Sequence, residues 1–162
     1  MNKIILLGVL VLQGCGFQLR GSLDIPEQWQ PVYVSSENAN EVAAALKQNL
    51  ETADIQQTLD STQAKLILKV HNQKLNNRIL SVSSTSAKTQ EREYTSEVEF
   101  EINDAKGNSL LAKQKLTVRR ELSMDERAVL AKSEEEQLLL RDLDQELAGN
   151  IARRLMFLRT KK

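Results

Sequence analysis

The sequence predicts an α+β domain: a two-layer sandwich in which two helices pack on one face of an about four-stranded mixed sheet. Three observations lead there. Val42 to Ala53 and Leu140 to Leu158 carry apolar residues at helical spacing. Between them lie segments that alternate apolar and polar residues. The order is strand, helix, three strands, helix, and each element has one apolar side to bury against its neighbours.

Gln30 to Ser36 holds Val32, Tyr33 and Val34, a short β-prone run that opens the domain. Asn38 followed by Glu41 has the form of a capping box, so a helix is expected to start there. Val42, Leu46, Leu50 and Ala53 form its apolar stripe, and it is expected to end near Ala53 or Asp54. Ala64 to Val70 alternates, with Leu66, Leu68 and Val70 on one face and Lys69 and His71 on the other. Asn76-Asn77 reads as a bend, after which Ile79, Leu80 and Val82 resume the strand, and Ser81 to Ser86 makes a polar tip. The third strand runs from about Lys88 to Asn103. Tyr94, Val98, Phe100 and Ile102 face inward, and Glu93, Glu97, Glu99 and Glu101 face out.

Asp104-Ala105-Lys106-Gly107-Asn108 has Asp first and Gly fourth, the pattern of a type I turn closed by a left-handed glycine. A three-residue loop sets Asp104 against Asn108. Counting back opposes Glu99 to Lys113, Glu97 to Lys115, Glu93 to Arg119 and Phe100 to Ala112. Opposite charges then meet across the ladder. Lys113, Lys115 and Arg119 could form a stripe for an anionic ligand, but a charge-paired solvent face accounts for them more simply. Ser123 with Glu126 forms a second capping box. A long helix follows, with an interruption expected near Lys132-Ser133 and an apolar stripe of Leu140, Leu143, Leu147, Ile151, Leu155 and Leu158. The basic residues Arg153, Arg154, Arg159, Lys161 and Lys162 suit the negative end of that helix.

The chain has 162 residues, 41% hydrophobic and 27% charged, enough for one globular domain and too few for two. Lys plus Arg and Asp plus Glu number 22 each, so no basic excess points to nucleic acid. A lone Cys and a lone His exclude a disulfide framework and a multi-Cys zinc site.

The amino terminus is more specific. Met1-Asn2-Lys3 is short and positive, Ile4 to Leu12 is almost wholly apolar, and Gln13-Gly14 precedes Cys15. This is the form of a secretory signal. A spanning helix needs roughly 20 apolar residues, about twice the run present. Leu12-Gln13-Gly14-Cys15 resembles a lipobox, with Gln13 departing from the usual small residue. The expected organisation is a signal peptide over 1–14, a lipidated tether over 15–30 starting at Cys15, and a single domain over 31–162. Cleavage would leave 21 basic and 22 acidic side chains, a net charge of −1. Gly16, where an inner-membrane lipoprotein commonly has Asp, points to the outer membrane on its periplasmic side.

No catalytic site is expected. His71 stands alone on a polar strand face. Ser83 to Lys88 could be imagined as a Ser–Lys dyad of an envelope hydrolase, but it reads more simply as a hairpin tip. Glu134 to Glu136 fan out around a helix rather than converge. There is no phosphate loop, dinucleotide fingerprint or zinc motif, so no cofactor is expected and no metal site. Trp29, Tyr33 and Tyr94 are too sparse to stack bases.

Cys15-Gly16-Phe17-Gln18-Leu19-Arg20-Gly21 resembles the Cys-Gly-aromatic-x-Leu-Arg start of the LptE family of lipopolysaccharide-assembly lipoproteins. Val129-Leu130-Ala131-Lys132-Ser133-Glu134 is similar to that family's Leu-Ala-Lys segment before its last helix. The resemblance covers essentially the mature chain, although the long polar tail of some members is missing. It implies a non-enzymatic plug inside the outer-membrane β-barrel LptD, one to one, that helps the barrel assemble and binds lipopolysaccharide. It also implies a ligand role for Lys132, matched through Leu-Ala-Lys, with Lys88 a weaker candidate at the corresponding hairpin tip. A different outer-membrane adaptor, such as a pilotin for another barrel or secretin, would share the tether and the lack of chemistry.

Overall fold

The computed structural model describes residues 25–82, 84, 89–123 and 129–158. A 3-10 turn at Glu27–Trp29 leads into strand β1 (Val32–Glu37), helix α1 (Asn40–Thr52), strands β2 (Leu66–Val82), β3 (Thr89–Asp104) and β4 (Ser109–Ser123), and helix α2 (Val129–Phe157). The strands form one mixed sheet in the order β1-β2-β3-β4. β1 runs parallel to β2 because α1 carries the chain back across, whereas β2–β3 and β3–β4 are antiparallel. Both helices lie on one face and pack on each other, as the apolar spacing requires.

Leu46, Leu50, Leu66, Leu68, Phe100, Ile102, Leu143, Leu147, Ile151 and Leu155 form the centre of the core. Each comes from the predicted stripe of its helix or the predicted inward row of its strand. Ile25, ahead of β1, is buried in the same cluster, and Trp29 packs against it.

α1 starts differently from expectation. Asn38 is not the cap: it has φ 56°, and the residue before the helix is Ala39, which makes no capping bond through a side chain. Ala39 is fully buried, so packing rather than capping brings the chain into the helix. The Asn38 carbonyl instead accepts the Gln73 N–H at 3.1 Å, which ties this turn to β2. The far end agrees with expectation. Asp54 has φ 56°, its N–H bonds the Glu51 carbonyl at 3.0 Å, and the Ile55 N–H bonds the Leu50 carbonyl at 3.0 Å. That is a Schellman closure, sealed by buried Ile55 beside Leu50.

β2 has no bend at Asn76-Asn77. The strand is continuous, and its irregularity lies at Asn72, with φ 56°, where the register with β3 shifts between His71 and Lys74. Such a bulge turns the following residues to the opposite face from that which simple alternation gives. α2 likewise continues through Lys132 and Ser133 without interruption. Ser123 ends β4, and Glu126, the other half of the expected capping box, lies outside the described residues.

The Asp104 turn is as predicted. Asp104 N–H bonds the Asn108 carbonyl at 2.9 Å, Gly107 has φ 84°, and the Asp104 carboxylate accepts the N–H of Lys106 and of Asn108, each at 2.8 Å. The register beyond it is not. β4 takes two more residues than β3 between the pairs Asn103–Ser109 and Phe100–Gln114. Thereafter Glu99 stands opposite Lys115, Glu97 opposite Thr117 and Glu93 opposite Glu121, each displaced by two from the predicted partner.

Candidate functional site

Two surfaces of the domain carry organised polar chemistry. The outer face of the sheet, away from the helices, presents a row of glutamates on β3 flanked by cations. Glu101 pairs with Lys69 at 3.0 Å, Glu99 with Lys113 at 3.4 Å, Glu97 with Lys115 at 2.6 Å and Glu93 with Arg78 at 2.8 Å. Three of these carboxyls lie below the ordinary glutamate range. The cause at Glu97 is chiefly the Lys115 bond, at Glu99 the Asn72 amide and then Lys113, and at Glu101 the Lys69 bond. The lysines of the predicted stripe are therefore engaged within the sheet, which favours the charge-paired reading. Exposed pairs of this kind add little stability but keep the face hydrated.

His71 lies in this face between Glu37 on β1 and Glu99 on β3. It borders an open depression of about 370 Å³ with Ser35, Lys69 and Glu101. Its Nε2 is buried without a partner among the described residues. Among those residues no group of three His, Cys, Asp or Glu could hold a metal ion.

The second surface is where α2 crosses the sheet. Tyr94 is buried on β3 and donates its hydroxyl to Glu136 Oε1 at 2.5 Å. Arg92 Nη1 donates to the same hydroxyl at 3.4 Å. Burial, then the bond to Glu136, pushes the Tyr94 hydroxyl above its usual range, so it remains a donor. Farther along, Gln73 Nε2 donates to Asp144 Oδ1 at 2.6 Å and to the buried Ser96 Oγ at 3.4 Å. Burial, with the nearby charge of Glu41, raises the Asp144 carboxyl above the ordinary range against the opposing effect of the Gln73 bond. Arg120 and Glu146 form a third tie between β4 and α2.

These ties hold α2 over the sheet from Glu136 to Glu146. Lys132 is in the first turn of that helix, four residues before Glu136. Cys15 and Lys88 lie outside the described residues, so their relation to Lys132 is not part of this geometry. Asp144 was legible in principle as an acid within the Leu140–Leu147 stripe. Gln73 had no such sign, because only the bulge at Asn72 turns it toward the helix.

A family model described as LptE, lipopolysaccharide-assembly, matches residues 29–155. The chain belongs to the LptE family. The LptE match runs from the last residue of the 3-10 turn through the whole sheet and nearly all of α2. Solved structures share the fold. An uncharacterised lipoprotein B from Nitrosomonas europaea superposes with a TM-score of 0.73 at 24% identity, covering 90% of this chain and 93% of that one. A rare lipoprotein B from Shewanella oneidensis gives 0.64 at 22% identity over 79% of this chain and 96% of its own. A minor lipoprotein from Acinetobacter baumannii gives 0.63 at 24% identity over 79% and 92%. No curated protein sequence matches. Membership of LptE gives the chain a role in lipopolysaccharide assembly, in a family that works without catalysis.

Proposed function

We propose that this LptE chain is an outer-membrane lipoprotein, held by lipid on Cys15 after removal of residues 1–14. Its domain occupies the lumen of the LptD barrel one to one, assists that barrel's assembly, and binds lipopolysaccharide in transit. The observation that carries the reading is the family match over residues 29–155. The outer sheet face supports it, because paired charges suit a plug surrounded by hydrated barrel walls. Several acyl chains on Cys15 would give the stable attachment this reading needs, since each buried CH₂ contributes roughly 0.8 kcal/mol.

Lipid A offers phosphates beside acyl chains. Lys132 is the first ligand residue of this reading and Lys88 the second, both as cations for phosphate. Affinity purification of the acylated chain tests the partner: LptD should co-purify in equal amount, and its absence would reject the plug. Cys15→Ala should abolish incorporation of labelled palmitate. Lys132→Asp should weaken lipopolysaccharide binding by about tenfold at matched salt, the loss of one charge-assisted contact, without lowering the melting temperature.

A further inference from the structure

β1 covers only the beginning of β2. Their pairing runs from Val32–Leu66 to Glu37–His71 and stops. The Gln73 N–H is then taken by the Asn38 carbonyl at 3.1 Å. Beyond it, Lys74 to Val82 remains laddered to β3 on one side as far as Val82–Thr89. On its other side no strand pairs with it among the described residues. This leaves an open edge roughly 30 Å long, at about 3.3 Å per residue.

Open edges are usually blunted by projecting charges, by proline or by a covering element. This one is not. Leu75, Ile79, Leu80 and Val82 are 48%, 55%, 38% and 57% exposed. The segment contains no proline. Its two cations stand opposite acids of β3: Arg78 reaches Glu93 at 2.8 Å, and Lys74 is paired in the ladder with Glu97. The bulge at Asn72 puts Leu75 and Ile79 in the rows of Ser96 and Arg92, on the helix-bearing face. The helices pack principally on β1, β3 and β4 and leave that corner uncovered.

We propose that the Lys74–Val82 edge is a docking strand, completed by an extended segment from a lumenal loop of the barrel partner. The inference rests on the barrel reading above. A wall strand cannot be the occupant, because a closed barrel has no free edge to offer. A loop segment keeps its backbone groups available. Main-chain bonds would supply affinity, and alternate side chains would supply specificity. The segment should carry apolar residues beside Leu75 and Ile79 and acidic residues beside Lys74 and Arg78.

Charge argues against a second copy as the occupant. A two-fold pairing about Asn77 would match Leu75 with Ile79 of the other molecule. It would also bring two more cations and no acid, because Lys74 to Val82 contains none.

Residue-resolved hydrogen exchange on the full acylated chain, alone and co-purified with LptD, tests this. In the free chain alternate amides between Lys74 and Val82, those not bonded to β3, should exchange rapidly. In the complex they should slow by more than about tenfold. Ile79→Lys, which leaves the β2–β3 bonds in place, should lower the yield of co-purified barrel without lowering the melting temperature. A complex that forms with these amides still fast overturns the docking strand and leaves the plug standing. Failure to form any complex rejects the plug, and the proposed occupant with it. Protection that grows with the concentration of the free chain assigns the edge to a second copy and overturns the occupant named here.

Discussion

Lys115 Nζ lies 2.6 Å from Glu97 Oε2, although the Cα of Lys115 stands opposite Glu99. The lysine reaches diagonally, two residues along β3, to the same glutamate that simple counting from the Asp104 turn assigns to it. The shift that β4 accumulates by Gln114 is two residues, an even number, so the side chains beyond it stay on their predicted faces. Glu99 and Lys113 likewise still pair, at 3.4 Å. Glu93 does not wait for Arg119, since Arg78 stands directly opposite and takes it.

This ladder should make a small contribution to the acid limb of stability. The Glu97, Glu99 and Glu101 carboxyls are held below the ordinary value of 4.5 in the folded chain. Their contribution is complete above that value and is lost as pH falls through the lower folded values. Melting temperatures should therefore decline below about pH 4.5 from this source. Lys115→Gln should lower the melting temperature at pH 7 by no more than about 2 °C, and 1 M salt should shrink the difference. A large, salt-independent loss would show that the pair is structural in another way.

Asp144 should act in the opposite sense. Its carboxyl is raised above the unfolded value of 3.8, so the folded chain binds that proton more tightly. The charged form costs stability at neutral pH, and the cost is relieved as pH falls through the raised value. Asp144→Asn keeps an oxygen for Gln73 and removes the charge. Its melting temperature at pH 7 should equal or exceed the parent's by about 1–3 °C, and the two should converge near pH 4. A variant less stable at pH 7 would contradict this account.

Tyr94→Phe preserves the ring in the core and removes the donor to Glu136. The expected loss is about 1–2 kcal/mol, or roughly 2–8 °C. Chemical denaturation of Tyr94→Phe, Glu136→Ala and the double variant forms a cycle. Its coupling should be about 1 kcal/mol, and strict additivity would deny the bond a stabilising role.

Asp54→Gly relieves a left-handed residue at the end of α1 without touching the two Schellman bonds. Glycine takes this conformation with no Cβ penalty but loses more freedom on folding. The net gain should be up to about 1 kcal/mol, seen as a rise of roughly 2–4 °C in thermal melts. Asp54→Val should fall by more than that gain, because a β-branched side chain opposes positive φ.

By itself the sequence determined the two layers, the buried stripe of each helix, the inward row of β3 and the Asp104 turn. Each depends on residues close together in the chain, through a period of 3.6, a period of 2 or the left-handed preference of Gly107. The family resemblance was likewise readable from short contiguous runs. The tertiary structure alone decided what depends on two elements at once. The bulges at Asn72 and in early β4 set the true partners across the sheet, and no single strand specifies where its extra residues will fall. Burial of Ala39 displaced the expected Asn38 cap. Gln73 meets Asp144 only because a bulge and a packed helix converge on one point. The open edge of β2 exists because β1 is much shorter than its neighbour, a mismatch visible only once the two strands are paired.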